Sequence, residues 1–401
     1  MTARRSLLVL SHRVPFPPHN GAALRTYNML RLLARDYDIV GLCFDRHDRA
    51  TAHLGLDRRL QGLRAFGRFE AFPIPQELDR VRFVADHLRS VLTGRPYTWY
   101  THDSAPFKTR LTTLLAEQRF DLVHLDSLDL VRLLPLVREL RVVCTHHNVE
   151  SALLRRRGGA YLRFQARAIE RAEREWLPRV ALNIAVSPDD ASAFRALAPD
   201  ARVEVVPNGV DTEYFAPSEE PQSGCVFVGG TSWYPNRDAL HWFTETIAPC
   251  LRARGVPVDV TWVGRATDAE LRAFAHVDGL RLTGYVDDIR PYVDRAACYI
   301  APLRVGGGTR LKLLDAWAMG KAIVATSIGA EGLGARNGED MLIADTPDAF
   351  ADAVARVLHD ETLRRSLGAA ARRTAVERFS WTTIGETVRA LYQEVADGNA
   401  G

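Results

Sequence analysis

The chain has 401 residues, 47% of them hydrophobic and 25% charged, with a formal net charge of +3. That length calls for two or three domains at roughly 150 residues each, and the composition is that of a folded globular protein, not of a disordered or collagen-like chain. The small net charge, with no long basic block interleaved with aromatics, gives no support to nucleic-acid binding. The five cysteines, Cys43, Cys144, Cys225, Cys250 and Cys298, are far apart and form neither a CxxC pair nor a zinc pattern, so reduced thiols in a reducing compartment are expected.

In chain order, MTARRSLLVLSHR offers only Leu7–Leu10 as an apolar run. That is too short for a signal-peptide core and predicts a first buried strand. No run of about 18 apolar residues predicts a membrane span, and a cytoplasmic location is expected. A Pro-rich loop carrying His19 and Gly21 leads into AALRTYNMLRLLARDY, where Leu24, Tyr27, Leu30 and Leu33 share one helical stripe. Strands follow at DIVGLCF, LVHLD and RVVCTHHN. An Arg- and Glu-rich helix is expected from Ser151 to Trp176, interrupted at Gly158 and Gly159, and ALNIAVSP reads as the last strand of this half. The Pro-, Gly- and Asn-containing stretch VEVVPNGVDTEYFAPSEEPQSG marks a connector. The second half restarts with GCVFVGG, VDVTWVG, LRLTG, CYIAPL, AIVAT and MLIAD, six strands separated by helical segments. A closing helix from about Trp381 to Val395 carries Ile384, Val388, Leu391, Tyr392 and Val395 on a stripe that must pack somewhere. Short apolar runs alternating with helices predict an α/β fold of parallel, doubly wound sheets. Domains are expected at residues 1–190 and 191–378, with a C-terminal helix over 379–401.

The densest chemistry lies in RVGGGTRLKLLDAWAMG, Arg304 to Gly320. In open parallel sheets ligands sit beyond the carboxyl ends of strands, and Gly306, Gly307, Gly308 and Thr309 occupy such a loop after CYIAPL. Without Cβ atoms the backbone can approach an anion, and the positive end of the following helix favours a phosphate. Arg310 and Lys312 near that helix start are unfavourable unless an anion or carboxylate answers them, which predicts a bound diphosphate. Of the 52 cationic side chains only Lys108, Lys312 and Lys321 are lysine, so Lys312 stands out as a compact point charge against an arginine background. Asp315 lies seven residues beyond Gly308, nearly two turns and about 10 Å deeper on the same face, where a carboxylate could accept from ribose hydroxyls. A dinucleotide fingerprint fails because Leu311 stands at its third glycine, and no Walker sequence is present. An ordinary glycine-rich turn with surface cations is the plainer alternative.

The stretch APLRVGGGTRLKLLDAWAMGKAIVATSIGAEGL, with VVPNGVDTEYFAP upstream, resembles the family 4 glycosyltransferases of the GT-B fold. FVGGTSWYPNRDALHWF, GYVDDIRPY, PFPPHNGAALRTYNMLRLLA and HHNVES match too, in order and over nearly the whole chain. The resemblance implies two Rossmann-like domains facing a cleft, a nucleotide-sugar donor held mainly by the second, and a final helix crossing back to the first. It implies hexosyl transfer with retention and without a bound metal or other cofactor, a UDP-sugar being the favoured donor. Asp189-Asp190 and Asp287-Asp288 read as helix caps, not metal ligands.

Residue by residue, the resemblance makes Lys312 and Arg310 the cations that neutralise the leaving diphosphate, and sets Gly21 and Gly229 against the donor. It puts Val286 at the base and Asp315 in place of the family's ribose-binding glutamate. Two positions depart from the family pattern: Gly307 stands where relatives often keep the first of two acids, and Asp315 shortens the second. His147 is expected to orient donor sugar or acceptor, with His12, His19, Asp126 and His146 as acceptor-side candidates. The acceptor class implied is a glycan, lipid-linked or small-molecule hydroxyl. Relatives acting on lipid-linked acceptors raise peripheral contact with the inner membrane face through the Arg-rich helix after Ser151, although its alternating Arg and Glu suit a solvated, salt-bridged face. A GT-B nucleotide-sugar epimerase and a non-catalytic nucleotide-sugar-binding partner protein are the alternatives.

Overall fold

The computed structural model describes residues 4–46, 53–220, 222–306 and 310–398, with only the backbone of residues 156 and 157. Gly307, Gly308 and Thr309 of the glycine turn therefore lie outside the described residues. The chain divides into two compact units, Met1–Pro207 with Gly385–Gly401, and Asn208–Ile384.

The first unit is built on seven strands: β1 (Arg5–Ser11), β2 (Tyr37–Asp45), β3 (Gly67–Pro73), β4 (Leu122–Asp126), β5 (Val142–Thr145), β6 (Leu182–Ala185) and β7 (Val203–Val205). They pair in parallel in the order β3-β2-β1-β4-β5-β6-β7. Helices cover both faces of such a sheet, so its central strands are apolar runs and not alternations; Leu7, Leu8, Val9 and Leu10 are all fully buried. Two strands escape the sequence reading. Edge strand β3, GRFEAFP, is half-exposed and carries Arg68 and Glu70. Strand β7 is three residues long and pairs with β6 through Asn183↔Val203, Ile184↔Glu204 and Ala185↔Val205. ALNIAVSP is thus not the last strand, and the first unit runs past residue 190 through the Pro188–Leu197 helix, capped by Ser187.

The second unit holds β8 (Ser223–Val228), β9 (Val260–Val263), β10 (Leu280–Leu282), β11 (Ala296–Ala301), β12 (Ile323–Ala325) and β13 (Leu342–Ile343). All six match predicted strands, and their order is β10-β9-β8-β11-β12-β13, again parallel. Phe227 and Trp262 stack at 3.9 Å in its core. In each sheet the first strand lies beside the fourth, so the connections leave in opposite directions there. That divergence opens a crevice at the carboxyl ends of the two strands.

The apolar stripe of the C-terminal helix, Trp381–Asp397, finds its place. Val388, Tyr392 and Val395 are buried, and from Gly385 onward the helix belongs to the first unit, six residues later than the expected boundary at 379. There the Tyr392 hydroxyl bonds His124 Nδ1 and its ring lies edge-on to Tyr37 at 6.4 Å. Arg389 pairs with Asp36. The preceding Trp381 and Ile384 pack in the second unit over Gly209, where a Cβ would fall 2.6 Å from Trp381 Cδ2. Among the described residues no helix is long and apolar enough to cross a membrane.

Candidate functional site

In the first unit the switch point lies between β1 and β4, whose ends pair as Ser11↔Asp126, with Thr145 of β5 alongside. Three adjacent strand ends thereby deliver His12, Asp126 and the His146-His147 pair to one place. Asp126 is fully buried. Its Oδ1 accepts from His147 Nε2 at 2.9 Å, and its Oδ2 accepts from Ser11 Oγ at 2.7 Å and Thr26 Oγ1 at 3.1 Å. Burial alone would raise its pKa, but the charges and hydrogen bonds of His147 and His12 outweigh that and hold it well below the usual carboxylate range. Asp126, expected on the acceptor side, is therefore a positioning residue beneath the two imidazoles.

His12 points Nδ1 at the Asp126 carbonyl, 3.0 Å away, and accepts on Nε2 from Arg13 Nε at 3.0 Å. The His12 and His147 rings stand 5.5 Å apart. Burial lowers the His147 pKa against the opposing pull of Asp126, so His147 is a neutral imidazole at pH 7, with Nε2 donating inward and Nδ1 left to accept. Both rings line a cavity of about 500 Å³ together with Arg13, His102, Asp129 and Glu150. The ligand atoms of His12, Asp126 and His147 lie within 4.8 Å of one another, close enough for a cation to bridge. Both Asp126 oxygens already accept protein donors, which suits a carboxylate that orients two histidines.

His146 turns the other way. It is buried, its Nε2 lies 2.9 Å from Asn183 Oδ1, its ring is 4.5 Å from Phe194, and burial pulls its pKa down to about 4. It lines only a small pocket of about 30 Å³ beside His147 and Glu150, not the cavity of His12. His19 is exposed on the loop before the Gly21–Leu33 helix; its Nε2 accepts from Asn20 Nδ2 at 2.9 Å. Asn20 caps that helix, accepting from Ala23 N at 3.1 Å and from Arg13 Nη1 at 3.1 Å. Gly21 is thus the first residue of a helix whose leading N–H groups have no intrahelical partner.

In the second unit the switch point lies between β8 and β11. Lys312, on the Leu311–Ala318 helix that follows β11, donates from Nζ to Asn236 Oδ1 at 2.8 Å and sits 4.2 Å over the Phe227 ring. Gly229, just past the end of β8, lets both side chains settle against the backbone: a Cβ there would fall 2.5 Å from Asn236 Nδ2 and 2.8 Å from Lys312 Nζ and displace them. Burial first, and the charge of Arg310 second, bring the Lys312 pKa down to about 7. Arg310 is buried behind Gly306, with Nη2 3.4 Å from the Ile328 carbonyl and 3.8 Å from Glu331. A carboxylate of the same unit thus already answers this cation. Three residues on from Lys312, Asp315 is half-buried with no described residue hydrogen-bonded to its carboxylate, and burial raises its pKa to about 7.

Val286 is placed apart, lining a cavity of about 780 Å³ with Tyr285, Asp288 and Tyr292. Asp288 accepts from the backbone N of Arg290 at 2.9 Å and pairs with its guanidinium, while Asp189 and Asp190 sit in the first turn behind Ser187. Asp288, Asp189 and Asp190 thus lie at helix starts whose N-cap positions are Ile289 and Ser187. Three neighbours of the site were missed from the sequence: Asn236 and Trp233, which lie within the quoted FVGGTSWYPNRDALHWF, and His102, which no motif singles out. Trp233 is half-exposed with its ring 5.8 Å from Lys312 Nζ. His102 is buried edge-on to Phe44 at 4.9 Å, and burial lowers its pKa to about 4.

A family model described as "Glycosyltransferase Family 4" matches residues 19–214, and one described as "Glycosyl transferases group 1" matches residues 222–360. A phosphatidyl-myo-inositol mannosyltransferase of Mycobacterium tuberculosis is 30% identical over 221 residues, 52% of this chain and 57% of that protein. An alpha-maltose-1-phosphate synthase of Mycolicibacterium smegmatis is 26% identical over 245 residues, 54% of this chain and 63% of that one. The chain thus spans somewhat more than half the length of the curated relatives it matches. Among solved structures, sucrose-phosphate synthase from Thermosynechococcus elongatus superposes with a TM-score of 0.70 at 14% identity, covering 98% of this chain and 100% of that one. Anabaena HepE in complex with UDP gives 0.68 at 15% identity, covering 97% and 100%. The two family models follow one another along the chain and together span most of it, and with the fold shared over nearly the full length, the chain belongs to the family 4 glycosyltransferases of the GT-B fold.

Proposed function

We propose that this chain transfers a sugar, a hexose, from a nucleoside diphosphate sugar to an acceptor hydroxyl, with retention at the anomeric carbon. Lys312 and Arg310, not a metal ion, neutralise the leaving group. The observation that carries this reading is Lys312 at the β8–β11 switch point, an ammonium whose proton is loosened to about pH 7 over a glycine that leaves the backbone bare. A diphosphate placed against it restores the full positive charge where negative charge develops as the sugar departs, and such preorganised charge is worth several kcal/mol in a transition state. Asp315, three residues deeper on the helix, is offered to the ribose, and Val286 to the base. In a retaining course an oxygen of the departing phosphate takes the acceptor proton on the same face, so the protein needs no nucleophile of its own.

The first unit carries a cavity of its own. His147, held through Nε2 by Asp126, presents Nδ1 to a hydroxyl of the donor sugar or acceptor in the cavity it shares with His12. The relatives' names include a lipid and a phosphorylated sugar, which supports a lipid-linked, glycan or small-molecule hydroxyl as the acceptor class. The UDP bound to Anabaena HepE makes UDP-sugars the first donors to offer. We place the protein in the cytoplasm, peripheral to the inner membrane face.

The test needs no acceptor. A panel of UDP- and GDP-sugars incubated with the purified chain should show slow release of free nucleoside diphosphate from at least one. Chelator should not change the rate, and proton NMR should find the anomeric configuration kept. Lys312→Ala should lower that rate at least about a hundredfold with unchanged circular dichroism and no loss of melting temperature. A Lys312→Ala variant that turns over normally would remove the diphosphate assignment.

A further inference from the structure

One helix of the first unit, Arg80–Thr93, is built inside out. The two residues it buries are polar: Asp86, whose Oδ2 accepts from Gln76 Nε2 at 2.9 Å, and Ser90, whose Oγ accepts from Gln165 Nε2 at 2.8 Å and donates to the Arg95 carbonyl at 2.6 Å. Its apolar residues point the other way. At about 100° per residue, Val81, Val84, Leu88, Val91 and Leu92 fall on one outward stripe, continued by Leu78 just before the helix. Their exposure runs from 50% at Val91 to 86% at Leu92. Scattered exposed apolar residues need no explanation, but a contiguous stripe of six marks a surface that something covers.

The charges say what covers it. Exposed Arg89 lies along one edge of the stripe and exposed Arg80 along the other, while the only acid of the helix, Asp86, faces inward with Arg82 3.6 Å from it as its partner. At its C-terminal end Arg171 donates to the Gly94 carbonyl at 2.9 Å, with Arg167 exposed one turn away. Of the acids just before the helix, Asp79 is occupied as its N-cap and Glu77 lies 3.8 Å from Arg46. An apolar stripe edged on both sides by arginine is the pattern of a helix lying in a membrane interface with its apolar face about 5–10 Å deep. A second copy of the chain docked on this stripe would set arginine against arginine.

We propose that the Arg80–Thr93 helix is a docking surface for an anionic lipid bilayer, lying flat in the headgroup layer with Val81, Val84, Leu88 and Leu92 inserted. This deepens the peripheral location proposed above and is independent of the sugar-transfer reading. Phe83, on the same helix, lines the cavity of His12, His102 and His147. Membrane docking therefore sets that cavity beside the lipid surface, where a lipid-linked hydroxyl would enter it.

Flotation of the full chain with vesicles tests the proposal. The wild type should float with vesicles of phosphatidylcholine and 30% phosphatidylglycerol, bind phosphatidylcholine alone at least about tenfold more weakly, and release in 0.5 M salt. Leu88→Gln with Leu92→Gln should weaken binding at least about tenfold with unchanged circular dichroism. Arg80→Gln with Arg89→Gln should weaken it about thirtyfold, through the attraction each arginine loses to an anionic surface. Failure of the wild type to float, or unchanged binding in both double variants, overturns the proposal. So does light scattering that finds a dimer dissolved by Leu88→Gln with Leu92→Gln, which would assign the stripe to a second copy. Donor hydrolysis without vesicles is read separately, so loss of flotation with hydrolysis intact sinks this inference alone.

Discussion

Lys312 shows how one residue can be prepared for a ligand by being made uncomfortable without it. Burial, and then the nearby Arg310, bring its pKa from 10.5 to about 7, so the empty site at pH 8 holds mostly neutral amine. The unfolded chain keeps that proton until about 10.5, so the folded protein is penalised below pH 7 and recovers as pH rises from 7 to 10.5. An incoming diphosphate favours the charged form again. UDP binding at pH 8 should therefore take up close to one proton, falling toward zero below about pH 6, and affinity should weaken as pH climbs above 7. Calorimetry in two buffers of different ionisation heat measures the uptake; identical heats would place the anion elsewhere. The exceptional lysine was legible in an arginine-rich sequence, but its depressed pKa was not, because Phe227, Gly229 and Asn236 come from a strand, the loop after it and the Tyr234–Trp242 helix, over 70 residues away in the chain.

At the scale of elements, the ends of β1, β4 and β5 assemble the histidine site of the first unit. Each strand is a short apolar run recognisable by itself, and their alignment at Ser11↔Asp126 and Asp126↔Thr145 is what gathers the histidines. Adjacent residues at a strand end point in opposite directions, which separates buried His146 from cavity-lining His147. The sequence offered both as site residues, and their separation waited on Asn183 and Phe194. Asp126→Asn should cost about 1.5–3 kcal/mol in denaturant unfolding at pH 7 by replacing a buried, multiply bonded carboxylate. Because the folded pKa of Asp126 is depressed, its contribution is present above the unfolded carboxylate range and is lost as pH falls through the folded value. The same variant should lower the His147 pKa further, since Asp126 is what raises it against burial. NMR titration of the imidazole reads that shift, and an unmoved His147 would show that Asp126 does not govern it.

Over the whole molecule, doubly wound architecture was legible from the alternation of apolar runs and helical patterns, and all six strands of the second sheet were recognised. What escaped lies at edges: β3 is too polar and β7 too short to stand out, because an edge strand need not be apolar on both faces. The closing helix was legible as a stripe without a partner; that Tyr392 meets His124 and Tyr37, 268 and 355 residues earlier, is long-range packing that no local pattern contains. A chain ending at Ile384 should therefore lose the cooperative unfolding of the first unit in calorimetry while the second keeps its own transition. Two intact transitions would mean that the helix is dispensable.

That helix also has a consequence for how the protein is made. A ribosome delivers the strands of the first unit before those of the second, yet the first unit lacks its last buried layer until the Trp381–Asp397 helix leaves the exit tunnel. The second unit, begun later, has all its strands well before that moment. The part of the chain synthesised first is thus the last to be completed, and for most of translation its half-built core depends on whatever shields nascent apolar surface in the cell.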